Sequence, residues 1–361
     1  SCRKSNNGTS SSGSVFFENS KVVQGTIFGQ VIGENGLPIE NAEVKVGTNT
    51  FITGKDGSFF FSKINTKKNA TLITVNKNNH YTGYKTLKIT ANTDHFTKIT
   101  LLEMKSPSTF NAITGGVVNI AGGAKVTFPA NAIVYKSNNT PYTGTVTMYG
   151  RWIDPSGSNL LNEIPGDLRA VDAENYERIL QTFGMMAVEL FDDANQPLQI
   201  ATSKTAQLSF PIPNSLMSKA PSTIPLWFFD DATGMWKEEG SATKQGNNYI
   251  GDVKHFSFWN CDVPNNYVNF DVTLQDNSGN PLANILVKIT NTSTGLFAFG
   301  YTNSSGFVSG LVPDNATLTM EVMVPICNQV IHTQTVNTLS TAVSLGVVNI
   351  TVPPANTAII T

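Results

Sequence analysis

Histidine, cysteine and charge are all scarce in this chain of 361 residues. It holds four histidines and three cysteines, and Asp, Glu, Lys and Arg together make up 14%, where an average soluble protein carries about 25%. So few His and Cys thin the supply of metal ligands and general bases. Twenty-four Lys and Arg against 26 Asp and Glu leave a net charge of −2, so there is no surplus of positive charge to neutralise a phosphate backbone, and nucleic acid is set aside as a partner. No apolar run approaches the roughly 20 residues that a helix needs to cross a bilayer. Familiar catalytic phrases are also missing. No Gly-x-Ser-x-Gly elbow occurs, and Gly122, Gly123, Ala124, Lys125, Val126 and Thr127 lack the order of a phosphate-binding loop and read as a turn. No cofactor is expected.

Small polar residues fill the gap, and from Val22 onward they alternate with apolar ones in short runs. Gly, Asn, Asp and Pro break those runs every 8 to 12 residues or so, the signature of β-sandwiches. Thr26 to Ile32, Val44 to Val46, Thr71 to Val75, Thr145 to Tyr149, Met186 to Leu190 and Phe270 to Leu274 all read as strands. Val171 to Phe183 alone has a helical look, because Val171, Ile179, Leu180 and Phe183 share a face at helical spacing. The expected fold class is all-β, with three tandem β domains.

The chain opens Ser1, Cys2, Arg3, Lys4 and then runs through Asn, Gly, Thr and Ser to Ser14, a composition that reads as a flexible linker. A lone cysteine ahead of such a tether resembles the start of a processed bacterial lipoprotein, which implies acylation of Cys2. Acyl chains partition into lipid at about 0.8 kcal/mol per buried methylene, so acylation holds a body at a membrane without a spanning segment. A chain that begins at an ordinary cysteine is the plainer alternative. Cys261 and Cys327 remain, either as a disulfide or as two separate buried thiols, since bridging needs Cα atoms within about 7 Å.

An internal repeat divides the chain. Gly36, Pro38, Ile39, Asn41, Ala42, Val44, Lys45 and Val46 recur at identical spacing as Gly279, Pro281, Leu282, Asn284, Ile285, Val287, Lys288 and Ile289. Each copy then reaches a second turn, at Thr53 to Gly57 and at Thr302 to Gly306, where a glycine supplies positive φ. The pattern resembles the carboxypeptidase regulatory-like domain, which implies two transthyretin-like seven-stranded sandwiches, accessory modules without catalysis. Ser305 stands where the first copy has Asp56, a departure in the second. None of His80, His95, His255 or His332 has a Glu three residues on, as the zinc motif of the associated peptidases requires.

The middle segment has a separate vocabulary: Gly115 and Gly116; Ala124 to Ile133; Thr182 to Met185; Leu226 to Asp231 with Thr233, Gly234, Met235 and Trp236; and His255 to Asn260. Read bare, its alternating aromatics are core or cross-strand residues around a hairpin turn. As an ordered set the phrases resemble the extracellular segment of cartilage intermediate layer proteins and related bacterial surface proteins, and more distantly the ZU-five domain. That resemblance turns Val171 to Phe183 into strand and turn. The expected division is an anchor and tether over 1–21, a regulatory-like sandwich over 22–104, the central domain over 105–263 and a second sandwich over 264–361.

His255, Phe256 and Ser257 form the most pointed chemical candidate. In a few relatives of the ZU-five domain such a triplet cuts its own backbone, with roles that here fall to Ser257 as nucleophile and His255 as base. A buried His beside aromatics also serves as a plain lock at a strand end. Asp192 with Asp193, and Asp230 with Asp231, lack calcium-site spacing and read as solvated turn residues. Trp152, Trp227, Trp236 and Trp259 either stack on sugars or pack in cores. The leading expectation is a non-catalytic, lipid-anchored accessory subunit of an outer-membrane transport or assembly complex in Bacteroidetes-type bacteria. It would act through protein contacts, with the extracellular face favoured over the periplasmic one. A glycan-binding surface lipoprotein and a protein that cleaves itself between Phe256 and Ser257 are the alternatives.

Overall fold

The computed structural model describes residues 15–157, 160–324 and 329–352. Strands dominate throughout, and the one α-helix among the described residues is the single turn Leu160–Glu163. No helix there is long and apolar enough to cross a membrane.

Two stretches of the chain share one topology. In the first, strand Val22–Gly33 lies between Ser58–Lys67, antiparallel, and Asp94–Leu101, parallel. A facing sheet runs Asn49–Ile52, Glu43–Val46, Thr71–Asn76, Gly83–Leu87. Ile27, Val31, Val44, Ile73, Val75, Phe59 and Leu101 fill the space between the two sheets, each strand giving alternate side chains to that face. In the last stretch, Tyr267–Asp276 lies between Phe307–Pro313 and Val343–Ile350, again one antiparallel and one parallel neighbour. Its partner sheet runs Phe297–Tyr301, Leu286–Asn291, Thr317–Val324, Gln329–Asn337. Seven strands occupy the same order in both.

The sequence repeat maps onto one local device. Asn41 and Asn284 both take positive φ, at 56° and 58°, and Gly57 and Gly306 do so at 69° and 75°. The Thr53 hydroxyl accepts from Ala42 N (2.9 Å) and donates to Ile39 O (2.7 Å). Thr302 repeats this with Ile285 N (2.9 Å) and Leu282 O (2.6 Å). The departure at Ser305 is compensated. Asp56 accepts from Ser58 N in the first copy, whereas Asn303 accepts from the backbone N of Ser305 and Phe307 in the second.

Between these stretches runs one connected sheet of thirteen strands, from Ser108–Asn111 to Phe258–Asn265. Its spine is Glu177–Phe191, whose residues from Ile179 to Val188 are all buried. Met186, Val188 and Leu190 enter a large core with Leu226, Trp259 and Phe210. Met185 and Ala187 enter a second core on the opposite face with Trp227 and Trp236. The helical look of Val171 to Phe183 is corrected here. The segment is strand Arg169–Val171, a turn, and the start of the spine, and a strand buried on both faces shows no alternation to read. Asp172 closes the turn, its Oδ1 accepting from Glu174 N (3.1 Å) and Tyr176 N (2.8 Å).

The second core is completed by Tyr81 and Leu102 from the first seven-stranded stretch. Tyr84 lies 4.8 Å from the Phe229 ring, and the Thr86 hydroxyl donates to Gly234 O at 2.5 Å. The last stretch joins through Leu296, Leu311 and Ile179, and Gln181 donates to Thr294 O at 2.7 Å. Residues 15–21, expected as the end of the tether, are docked. Phe16 stacks on Tyr176 with centroids 4.5 Å apart, and Asn19 exchanges hydrogen bonds with Ala70.

Candidate functional site

The His255-Phe256-Ser257 triplet sits in the bend that leads into strand Phe258–Asn265. Phe256 is buried against the Phe128 ring, 5.5 Å between centroids. Its peptide groups are clasped by Gln199, which accepts from Phe256 N (2.8 Å) and donates to Phe256 O (3.2 Å). His255 is half-buried, with its ring 4.7 Å from Phe228 and 5.0 Å from Trp259, and its carbonyl accepts from Trp259 Nε1 at 2.9 Å. Burial lowers its pKa, against a smaller opposing pull from Glu239, whose carboxylate lies 3.9 Å away.

A nucleophile needs its base within hydrogen-bond reach. The hydrogen bond that Ser257 Oγ makes goes to Phe258 O, at 3.1 Å, and none joins it to the His255 ring among the described residues. None of the three residues takes a positive φ. The arrangement is that of a lock, in which aromatic packing and the Gln199 clasp hold the strand entry. Cys2 and Cys327 lie outside the described residues, and with them the acylation and the disulfide expectations. Cys261 is buried, and its thiol donates to Gly184 O at 3.3 Å. Burial pushes its pKa well up, which keeps it a thiol and a poor nucleophile.

The other expected candidates resolve into structure. Asp192 accepts from Ala194 N (2.9 Å) and Gln196 N (2.7 Å), and Asp230 from Ala232 N (3.1 Å) and Thr233 Oγ1 (2.7 Å), so both cap turns. Among the described residues no three His, Cys, Asp or Glu side chains converge as a metal site. Trp227, Trp236 and Trp259 are each 0% exposed. Their indoles donate to Asp262 O, Pro165 O and His255 O, so these three present no face to a sugar, and the stacking alternative is corrected for them. Trp152 is half-buried, its Nε1 buried without a partner.

Sequence reading missed a polar cluster inside the central sheet. Between Thr182 and Met185 the spine bulges against strand Phe258–Asn265, and Gly184 takes a φ of 146°. Thr182 accepts from Gly184 N (3.1 Å) and donates to Asn260 Oδ1 (3.0 Å), and Asn260 Nδ2 donates to Asp262 Oδ2. Asp262 is 0% exposed, and burial raises its pKa well above the ordinary carboxylate range despite those donors. That shift favours the neutral form, which is the form that costs least to bury. The signal in the sequence was two polar residues, Asn260 and Asp262, among Phe258, Trp259, Cys261 and Val263.

No protein family model matches this chain. It is similar to cartilage intermediate layer protein 1 of Mus musculus, 26% identical over 221 residues that cover 57% of this chain and 18% of that protein. The Homo sapiens protein of the same name is 29% identical over 152 residues, 40% of this chain and 12% of the other. Cartilage intermediate layer protein 2 of Mus musculus is 31% identical over 107 residues, 29% and 9%. The chain spans less than a fifth of the length of these relatives. The expected likeness to that group is therefore present, and at 57% of the chain it reaches beyond residues 105–263. Among solved structures, the major pilin subunit BcpA of Bacillus cereus is 9% identical over 91% of this chain and 99% of the other, with a TM-score of 0.19. A protein of unknown function from Bacteroides fragilis is 9% identical over 67% and 99%, with a TM-score of 0.21.

Proposed function

We propose that this chain is a non-catalytic surface module: a lipid-anchored accessory subunit of an outer-membrane protein complex, held through acylated Cys2, facing outward and acting by protein contacts. The observation that carries this reading is the edge strand Val343–Ile350. It ends its sheet, spans eight residues, contains no charged side chain and leaves Val347 58% exposed. Gln329–Asn337, which ends the facing sheet, is also free of Lys, Arg, Asp and Glu and leaves Val330 41% exposed. Sheet edges are normally protected by charge, proline or brevity. The edges of the first seven-stranded stretch follow that rule: Ser58–Lys67 carries Lys63 and Lys67, Asp94–Leu101 carries Asp94 and Lys98, and Asn49–Ile52 is four residues long. Long uncharged edges suit the addition of a partner's strand. Further support comes from the lock-like geometry at His255 to Ser257, and from relatives whose name assigns them to a layer of cartilage.

The test is purification of the tagged protein from its own membranes in mild detergent, with mass spectrometry of what accompanies it. Stoichiometric outer-membrane proteins are expected, to be lost in Val347→Lys while the protein stays folded and membrane-bound. Cys2→Ser is expected to move it to the soluble fraction. Recovery alone and monomeric overturns the subunit reading, and membrane retention of Cys2→Ser overturns the anchor.

A further inference from the structure

The first stretch, the central sheet and the last stretch meet around a cavity of about 140 Å³. Its wall includes Lys85 and Lys88 from the first, Asp167 and Arg169 from the middle, and Phe299 and Leu311 from the last. A water molecule occupies about 30 Å³ of liquid, so the space suits four or five waters or one small organic molecule. Phe297–Tyr301, all five residues of which are half-buried, contributes to its wall.

The charges on this wall do not balance. Arg169, 6% exposed, is paired: its Nε lies 2.6 Å from Asp167 Oδ2, and its Nη1 donates to Asn69 O at 2.6 Å and lies 3.5 Å from Glu177 Oε1, while Nη2 is buried without a partner. Lys88 donates to Asn269 Oδ1 at 3.3 Å. His95 accepts from Thr90 N at 3.1 Å, and burial lowers its pKa, which keeps it neutral. Tyr301 has its hydroxyl pKa raised to about 12 by burial and adds no charge. Lys85 remains. It is 7% exposed, its Nζ lies 4.3 Å above the Phe299 ring, and no carboxylate comes within 4 Å of it among the described residues. Asp167, the nearest counter-charge, is already engaged by Arg169. A desolvated ammonium that only an aromatic face attends is a strong attractor for an anion.

We propose that this cavity binds a small organic monocarboxylate, whose carboxylate meets Lys85 and whose apolar body lies against Phe299, Leu168 and Leu311. The apolar part of the wall favours a ligand with a hydrocarbon body over a bare phosphate. The binding is independent of the docking role of the edge strands, which lie in other parts of the molecule.

Isothermal titration of the full chain with sodium benzoate at pH 7 and low salt tests this, with sodium phosphate as the comparison. One saturable benzoate site is expected. Affinity should fall about tenfold per pH unit once Lys85 loses its proton, above its pKa of about 8. Lys85→Met should weaken binding more than tenfold, and Lys98→Met, outside the cavity, should leave it unchanged. No saturable benzoate site, equal binding by Lys85→Met, or tighter binding of phosphate overturns the proposal. Should Lys85→Met fail to fold, carbon-13 dimethylation of the wild-type lysines gives a second reading. The Lys85 resonance is expected to titrate at higher pH with benzoate present, and an unmoved titration overturns the proposal.

Discussion

Gln199 and Phe256, 57 positions apart, hold each other through two hydrogen bonds, with the Gln199 side chain accepting from Phe256 N at 2.8 Å and donating to Phe256 O at 3.2 Å. One amide side chain thereby satisfies a backbone donor and a backbone acceptor at a bend where no neighbouring strand does so. The carbonyl it holds belongs to the peptide that a self-cleaving reading would break.

Gln199→Ala removes both bonds and leaves the Phe256 N–H and C=O to find water or go unpaired. Leaving buried groups unsatisfied costs about 1–3 kcal/mol, so the urea midpoint should fall without a change in slope. Intact-mass measurement of the wild type should show one unbroken chain. Two fragments meeting at Phe256 and Ser257, abolished by Ser257→Ala, would establish self-cleavage instead.

Thr53 and Thr302 are 2% and 0% exposed, and each bridges two backbone groups of its repeat. Thr53→Val and Thr302→Val keep the shape and remove the hydroxyl, so each should cost about 1–3 kcal/mol. The two sites share no partner, and their effects should add within about 0.5 kcal/mol in the double variant. Chemical denaturation of the three variants checks both statements.

Asp262 gives stability a pH dependence of definite sign. Its folded pKa lies above the unfolded value of about 3.9, so below that pH both states are protonated and nothing is lost. As pH rises past it, the unfolded chain releases a proton that the folded chain keeps, and stability falls by up to about 1.4 kcal/mol per pH unit. Asp262→Asn should remove this contribution. The difference between variant and wild type should therefore shift in the variant's favour from pH 4 upward, whatever constant cost the amide brings. Denaturation midpoints across pH 4 to 7 measure it.

Lys85 acts with the same physics and opposite charge. Burial lowers its pKa to about 8, against about 10.4 unfolded. Below pH 8 both states are charged and the penalty of burying the ammonium is fully present. Between 8 and 10.4 the folded state alone sheds its proton, so stability should rise by about 3 kcal/mol in total. Lys85→Met should be more stable than wild type at pH 7 by a similar amount, and its stability should be flatter over that interval. Parallel curves for the two proteins would show that Lys85 does not carry this penalty.

Much of the architecture was legible because its signals are local. Ala42, Val44 and Val46 alternate into a core, Gly57 and Gly306 take the positive φ their turns require, and the Gly36 to Val46 phrase returns at Gly279 to Ile289 with the same strand order around it. Val171 to Phe183 was illegible for a physical reason: it joins a short strand, a polar turn and the start of a spine buried on both faces, where apolar and polar residues do not alternate. The tryptophans were ambiguous because an aromatic residue looks the same in sequence whether it faces a core or a ligand.

The sequence alone determined the all-β class, the repeated turn chemistry and the scarcity of groups for catalysis, since each follows from residue type and short-range spacing. Tertiary structure decided what chain neighbours cannot set. It turned Ser257 toward Phe258 O, buried Asp262 opposite the bulge of the spine so that its pKa is raised, and brought Lys85 over Phe299 with Asp167 already paired to Arg169. Burial and the positions of distant charges govern those outcomes, and both arise only when segments far apart in the chain come together.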